Sequence, residues 1–180
     1  MQHHRRTLLA FATASLLVAL PARAQEKATE LTAGIVGLSS TSSGGRTLFQ
    51  LATGGAYFAA GFYLSPGAAI EPTITSIHQS SNGYSVTTLG IVVAAPIYLD
   101  KTWGRTGIYV APRAGFNYYS CSQCTGQTQM IVGAAVGAKM RLNDLAALRV
   151  QGGFDYGFAS GDFDSSTILG ASLGLSVFVP

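Results

Sequence analysis

Six charged side chains sit where charge is unexpected. Glu71, Arg113, Lys139, Arg141, Arg149 and Asp155 each lie inside a stretch in which apolar residues alternate with small or polar ones. All six fall on the weakly apolar parity of their stretch. Four basic and two acidic groups crowded into one interior would pair with one another or be wetted, which is the chemistry of an ionic network. Cys121 and Cys124 are the only cysteines, and outside the cytoplasm a lone C-x-x-C reads as a disulfide closing a small loop. A zinc site would need further ligands nearby, and none is evident. A thioredoxin-like redox role would need a different fold. Gly161-Asp162-Phe163-Asp164-Ser165 brings two carboxylates together, far short of the ~6–8 oxygens calcium takes, so a solvated loop is expected. No metal and no cofactor is expected.

The elements that carry these residues have a period of two. From Thr167 to Val179, Leu169, Leu173, Leu175, Val177 and Val179 alternate with Ile168, Gly170, Ser172, Gly174, Ser176 and Phe178. That is a β-strand with one apolar face. Seven more strands are expected at about 30–40, within 46–64, and at about 68–78, 84–99, 105–118, 130–141 and 148–158. Turns at 65–67, 100–104 and 143–145 alternate with loops at 39–45, 79–83, 119–127 and 159–165.

Residues 1–24 read as a secretory signal peptide: Arg5-Arg6, an apolar run from Leu8 to Leu20, Pro21, and Ala22-Arg23-Ala24 as cleavage site. The twin-arginine route is disfavoured, because a membrane barrel must cross the inner membrane unfolded. Residues 25–180 read as one domain. Of 11 basic residues three lie in the signal, leaving 11 − 3 = 8 against 8 acidic ones. No nucleic-acid interface is therefore expected. Those 16 charges among 180 − 24 = 156 residues are about a tenth, against ~25% in soluble domains. No segment of residues 25–180 has the ~18 consecutive apolar residues of a spanning helix. Of the structures that can span lipid, a closed barrel remains.

The expected fold is thus all-β: an eight-stranded antiparallel up-and-down transmembrane β-barrel in an outer membrane. The short turns and both termini would be periplasmic and the loops extracellular. A charge on the lipid face costs ~2–4 kcal/mol at mid-depth, so the six charges are expected inside, plugging the lumen. Tyr63, Tyr98, Trp103 and Tyr109 are expected as an aromatic belt at the periplasmic interface, and Tyr84, Tyr118, Tyr119 and Phe158 as one at the outer interface.

Residues 25–180 resemble the small outer-membrane β-barrel family that includes the OmpA-like transmembrane domain and the opacity-type and OmpX/Ail-type proteins. The signal, the repeated aromatic-glycine hairpin strands and the run Pro96-Ile97-Tyr98…Tyr109-Val110-Ala111-Pro112-Arg113-Ala114-Gly115-Phe116 carry the resemblance. It implies contact with outer-membrane lipid and lipopolysaccharide, and delivery by the outer-membrane assembly machinery. Members commonly end in an aromatic residue, whereas this chain ends Val177-Phe178-Val179-Pro180, with Phe178 on the inward parity.

The expected role is non-enzymatic, structural or surface-exposed. A narrow channel for small or apolar solutes is the alternative. His78-Gln79-Ser80 is loosely similar to the His-x-Ser arrangement of outer-membrane lipid A deacylases, which raises a lipid-modifying enzyme as a third reading. A soluble lipocalin-like carrier with its apolar stripes turned inward is the competitor at the level of fold.

Overall fold

The computed structural model describes residues 29–43, 46–81, 84–100, 105–121, 124–159 and 164–179. The proposed signal peptide, Trp103 and Asp162 lie outside them. Nine strands form: β1 Thr29–Ser43, β2 Arg46–Ser65, β3 Ala68–Ser81, β4 Tyr84–Ala94, β5 Ile97–Tyr98, β6 Thr106–Cys121, β7 Cys124–Arg141, β8 Ala146–Gly157 and β9 Ser166–Val179. Neighbouring strands pair antiparallel, β4 and β5 both lying between β3 and β6, and β1 also pairs β9, with Thr29 opposite Val179 and Ser43 opposite Ser166. The sheet therefore closes on itself and leaves no edge. β4 and β5 are one barrel strand interrupted at Pro96, which has no N–H to give to the ladder. Pairing resumes at Ile97 and Tyr98 opposite Val110 and Tyr109. The result is a closed eight-stranded antiparallel barrel.

We call the end bearing Thr29 and Val179 the base and the opposite end the rim. Towards the rim the ladders run further than the serine- and glycine-rich composition suggests. Ser43 pairs Arg46, Ser81 pairs Tyr84 and Cys121 pairs Cys124, so the long loops expected at 39–45, 79–83 and 119–127 shrink. Serine and threonine keep their backbone donors and acceptors, and a ladder persists while its partner is there. The side chains of Cys121 and Cys124, and with them the disulfide expected between the two, lie outside the described residues. The one register shift in β1 falls at Gly37, between Val36 and Leu38.

The two faces differ as alternation requires. Ile35, Phe58, Leu99 and Val136 point outward, 58–69% exposed. Leu89, Ile91, Val110, Phe116, Leu173 and Val177 share that outer surface. Inside are Glu30, Thr32, Tyr57, Glu71, Tyr109, Lys139, Arg149 and Ser176, all buried. A water-soluble barrel would show the reverse, so the surface is built for hydrocarbon. β2, whose parity is ambiguous in sequence, turns Tyr57, Ala59 and Gly61 inward and Phe58 and Phe62 outward.

Candidate functional site: a layered polar lumen

At the base, four strands bring four charges into contact. β1 supplies Glu30, β3 Glu71, β7 Lys139 and β8 Arg149. The Lys139 ammonium donates to Glu30 Oε2 at 2.6 Å and lies 3.9 Å from Glu71 Oε2. Arg149 donates through Nη1 to Glu71 Oε2 at 2.7 Å, through Nε to the Tyr109 hydroxyl at 2.8 Å, and through Nη2 to Gln151 Oε1 at 2.5 Å. All four charged side chains are at most 3% exposed. Burial of this depth is sustainable only when every charge is paired and bonded.

Three tyrosines complete the cluster. Lys139 Nζ lies 5.9, 5.5 and 5.6 Å from the ring centres of Tyr63, Tyr98 and Tyr109, within reach of the rings' negative faces. The Tyr63 hydroxyl donates to Glu30 Oε2 at 2.6 Å, so this oxygen receives both an ammonium and a phenol. Thr32 adds a bond to Glu30 Oε1 at 3.3 Å and shares one of 2.8 Å with Ser176. Tyr98 and Tyr109 pack with Ala94, Ala111 and Ala135 in the buried apolar cluster of the barrel. These rings are not an interfacial belt, as their nearness to turns suggests. Tyr109 shares the parity of Ala111 and Arg113, and Tyr98 that of Ala94, so both must face inward. Tyr118 and Phe158 do lie outside, and Tyr119 faces the lumen.

Halfway along, Arg113 of β6 and Asp155 of β8 form a two-pronged pair, Nε to Oδ1 at 2.6 Å and Nη2 to Oδ2 at 2.7 Å. They span the intervening β7 by lying flat. A Cβ on Gly153 would run into the Arg113 guanidinium, and one on Gly133 into Asp155 Oδ1. Near the rim, Asn117 donates to the Tyr119 hydroxyl, Tyr119 and Ser166 donate to Gln129 Oε1, and Gln129 Nε2 donates to the Asp164 carbonyl.

Between base and rim the lumen is hollow, not filled. A cavity of about 360 Å³ reaches from Glu71 and Arg149 up to Tyr119 and Val86. Its walls mix Thr73, Thr75 and Ser172 with Val36, Val92, Ile131 and Ile168.

Of the six charges singled out in sequence, five line the lumen: Glu71, Lys139 and Arg149 at the base, Arg113 and Asp155 at mid-height. Arg141 is exposed at the base end of β7, one step beyond the buried cluster, with its backbone N–H on the Arg105 carbonyl at 2.7 Å. Glu30 is the residue that sequence reasoning missed. The signal was present, because Glu30 precedes Thr32 on the parity opposite Leu31, Ala33 and Ile35. His78 is exposed on the outward parity, its Nδ1 2.9 Å from the Thr87 hydroxyl, and the Ser80 side chain lies outside the described residues. Among the described residues no three His, Cys, Asp or Glu side chains gather as a metal site would require.

No protein-family model matches the chain, and no curated protein does. Solved structures do. Neisserial surface protein A superposes with a TM-score of 0.72 at 15% identity, covering 84% of this chain and 97% of that one. The attachment invasion locus protein Ail of Yersinia pestis superposes at 0.58 with 8% identity, covering 86% and 100%. At such identities the likeness is one of fold, and the fold this chain shares is that of the small eight-stranded outer-membrane β-barrels.

Proposed function

We propose that this protein is an integral outer-membrane barrel of non-enzymatic, structural or surface-exposed role, whose lumen is sealed at the base. The observation that carries the reading is the buried cluster of Glu30, Lys139, Glu71 and Arg149 with its tyrosines. It crosses the barrel from β1 and β3 to β7 and β8 and pairs each of its four charges. Water and ions would have to part bonds of 2.6–2.8 Å to pass. The outward apolar surface supports a place in lipid, with lipopolysaccharide at the rim and the base towards the periplasm. The N-terminal segment supports export by the secretory route, and assembly by the outer-membrane machinery goes with that reading.

The test is electrical. Purified protein reconstituted in a planar bilayer should be silent at moderate voltage, and Tyr109→Ala combined with Arg149→Ala should introduce discrete conductance steps. A steady open pore in the unaltered protein would overturn the seal. The mid-lumen cavity favours one second reading, a narrow channel, and the same recording decides between them. For export, N-terminal sequencing of membrane-purified protein should begin at Gln25.

A further inference from the structure

The hollow above the seal has the make-up of a binding site. Its 360 Å³ falls within the ~300–1,000 Å³ of small-molecule pockets. One wall carries the Arg113–Asp155 pair, pressed flat onto Gly153 and Gly133 so that it leaves the space open. The rest of the lining, from β1, β3 and β4, includes Val36, Ile77, Val86 and Val92 with threonines between. The Tyr57 side chain, only 5% exposed, borders the cavity close to Ser172.

Charge balance selects the ligand. The described inward-facing residues carry three acidic groups, Glu30, Glu71 and Asp155, and three basic ones, Lys139, Arg149 and Arg113. A ligand with net charge would leave that charge uncompensated in a medium of low dielectric. A zwitterion would not. Its carboxylate can take the Arg113 fork, which suits planar carboxylates, while its ammonium meets the Asp155 oxygens so released. One ion pair then becomes two without a change in total charge.

The geometry points to a binding site for a small zwitterion with an aliphatic body, of the α-amino acid class, held at mid-lumen between Arg113 and Asp155. Its short apolar chain lies against Val36, Val92 and Ile131. The site rests on the sealed base, which makes the lumen a cup and not a passage. Because the Arg113–Asp155 pair must open first, binding is weak, in the millimolar range.

The probe is L-leucine, titrated into the micelle-reconstituted protein with the Arg113 Nε resonance as readout. Three solutes of like shape serve as comparators: 4-methylpentanoate, isoamylamine and isoamyl alcohol. Leucine should shift the resonance saturably, and each comparator should bind about tenfold more weakly or worse, the worth of one charge-assisted hydrogen bond. The charge-neutral double variant R113M/D155L should lose leucine binding, with aromatic proton shifts of Tyr57 as readout. No saturable shift with leucine, or equal binding of isoamyl alcohol, overturns the proposal using unaltered protein alone. Bilayer recording on the same preparation keeps the two claims apart. Conductance without leucine refutes the seal, whereas silence together with absent leucine binding refutes only the site.

Discussion

Removing one member of the Lys139–Glu30 pair should cost far more than removing both. In Glu30→Gln the Lys139 ammonium keeps, besides the three rings, the Glu71 carboxylate 3.9 Å away and already engaged by Arg149 at 2.7 Å. One positive charge is then left in excess in a cluster less than 4% exposed. In Lys139→Met the excess is negative, and Glu30 retains Tyr63 and Thr32 as donors. Breaking a buried pair from one side costs about 3–5 kcal/mol, so the two single variants should together lose about 6–10 kcal/mol. The double variant E30Q/K139M restores neutrality, keeps an amide oxygen for the Tyr63 hydroxyl, and fills the lysine's volume among three rings. Exchanging a buried pair for neutral groups of like size is close to neutral. Its loss should therefore stay near 1 kcal/mol, plus the cation–ring attraction of about 0.5–2 kcal/mol. Urea unfolding from lipid vesicles, followed by fluorescence of Trp103, the only tryptophan, measures all three. If each single variant costs under about 1 kcal/mol, or if the double loses the sum of the singles, the cluster is hydrated and the seal is misread.

Gly137→Ala should destabilise by about 1–3 kcal/mol, as overpacking does, because its Cβ would strike the Tyr109 ring and hydroxyl that hold Arg149. Gly152→Ala, whose Cβ meets nothing nearer than the Gly170 carbonyl at 4.0 Å, should be neutral or stabilising by up to about 1 kcal/mol; urea midpoints compare the two. Val136→Lys, at mid-height on the outer surface, should cost ~2–4 kcal/mol in vesicles, while Leu142→Lys at the base turn should cost ~0–1. Equal and negligible losses at both positions would place the outer surface in water. His78→Ala should leave the mass of lipid A unchanged on expression, and an altered mass would reopen the enzymatic reading.

Period and parity carried most of the fold, and most of what was missed lies in them too. Fixing which residues share a face with Glu71, Arg113 and Lys139 assigns the inside of the barrel, because charge will not sit in lipid. Applied residue by residue, the same rule already places Tyr109 beside Ala111 and Glu30 beside Thr32. Nearness to a turn suggests an interfacial belt for the tyrosines, but a ring two residues from a turn follows its strand's parity first. Arg141 errs the other way: its parity is right, yet the strand has run out of lumen. Asn82-Gly83 between paired Ser81 and Tyr84, and Gly44-Gly45 between Ser43 and Arg46, are strong signals for a two-residue hairpin. They outweigh the serines around them, which is why the ladders run further than composition implies. What no single strand can disclose is height. Lys139 meets Glu30 across 109 residues, and Arg149 meets Glu71 across 78, only because the barrel's closure sets β1 and β3 level with β7 and β8. Alternation says that these charges face one another. Closure and stagger divide them into a buried cluster at the base and a separate pair at mid-lumen, and on that division the proposed seal and cup both depend.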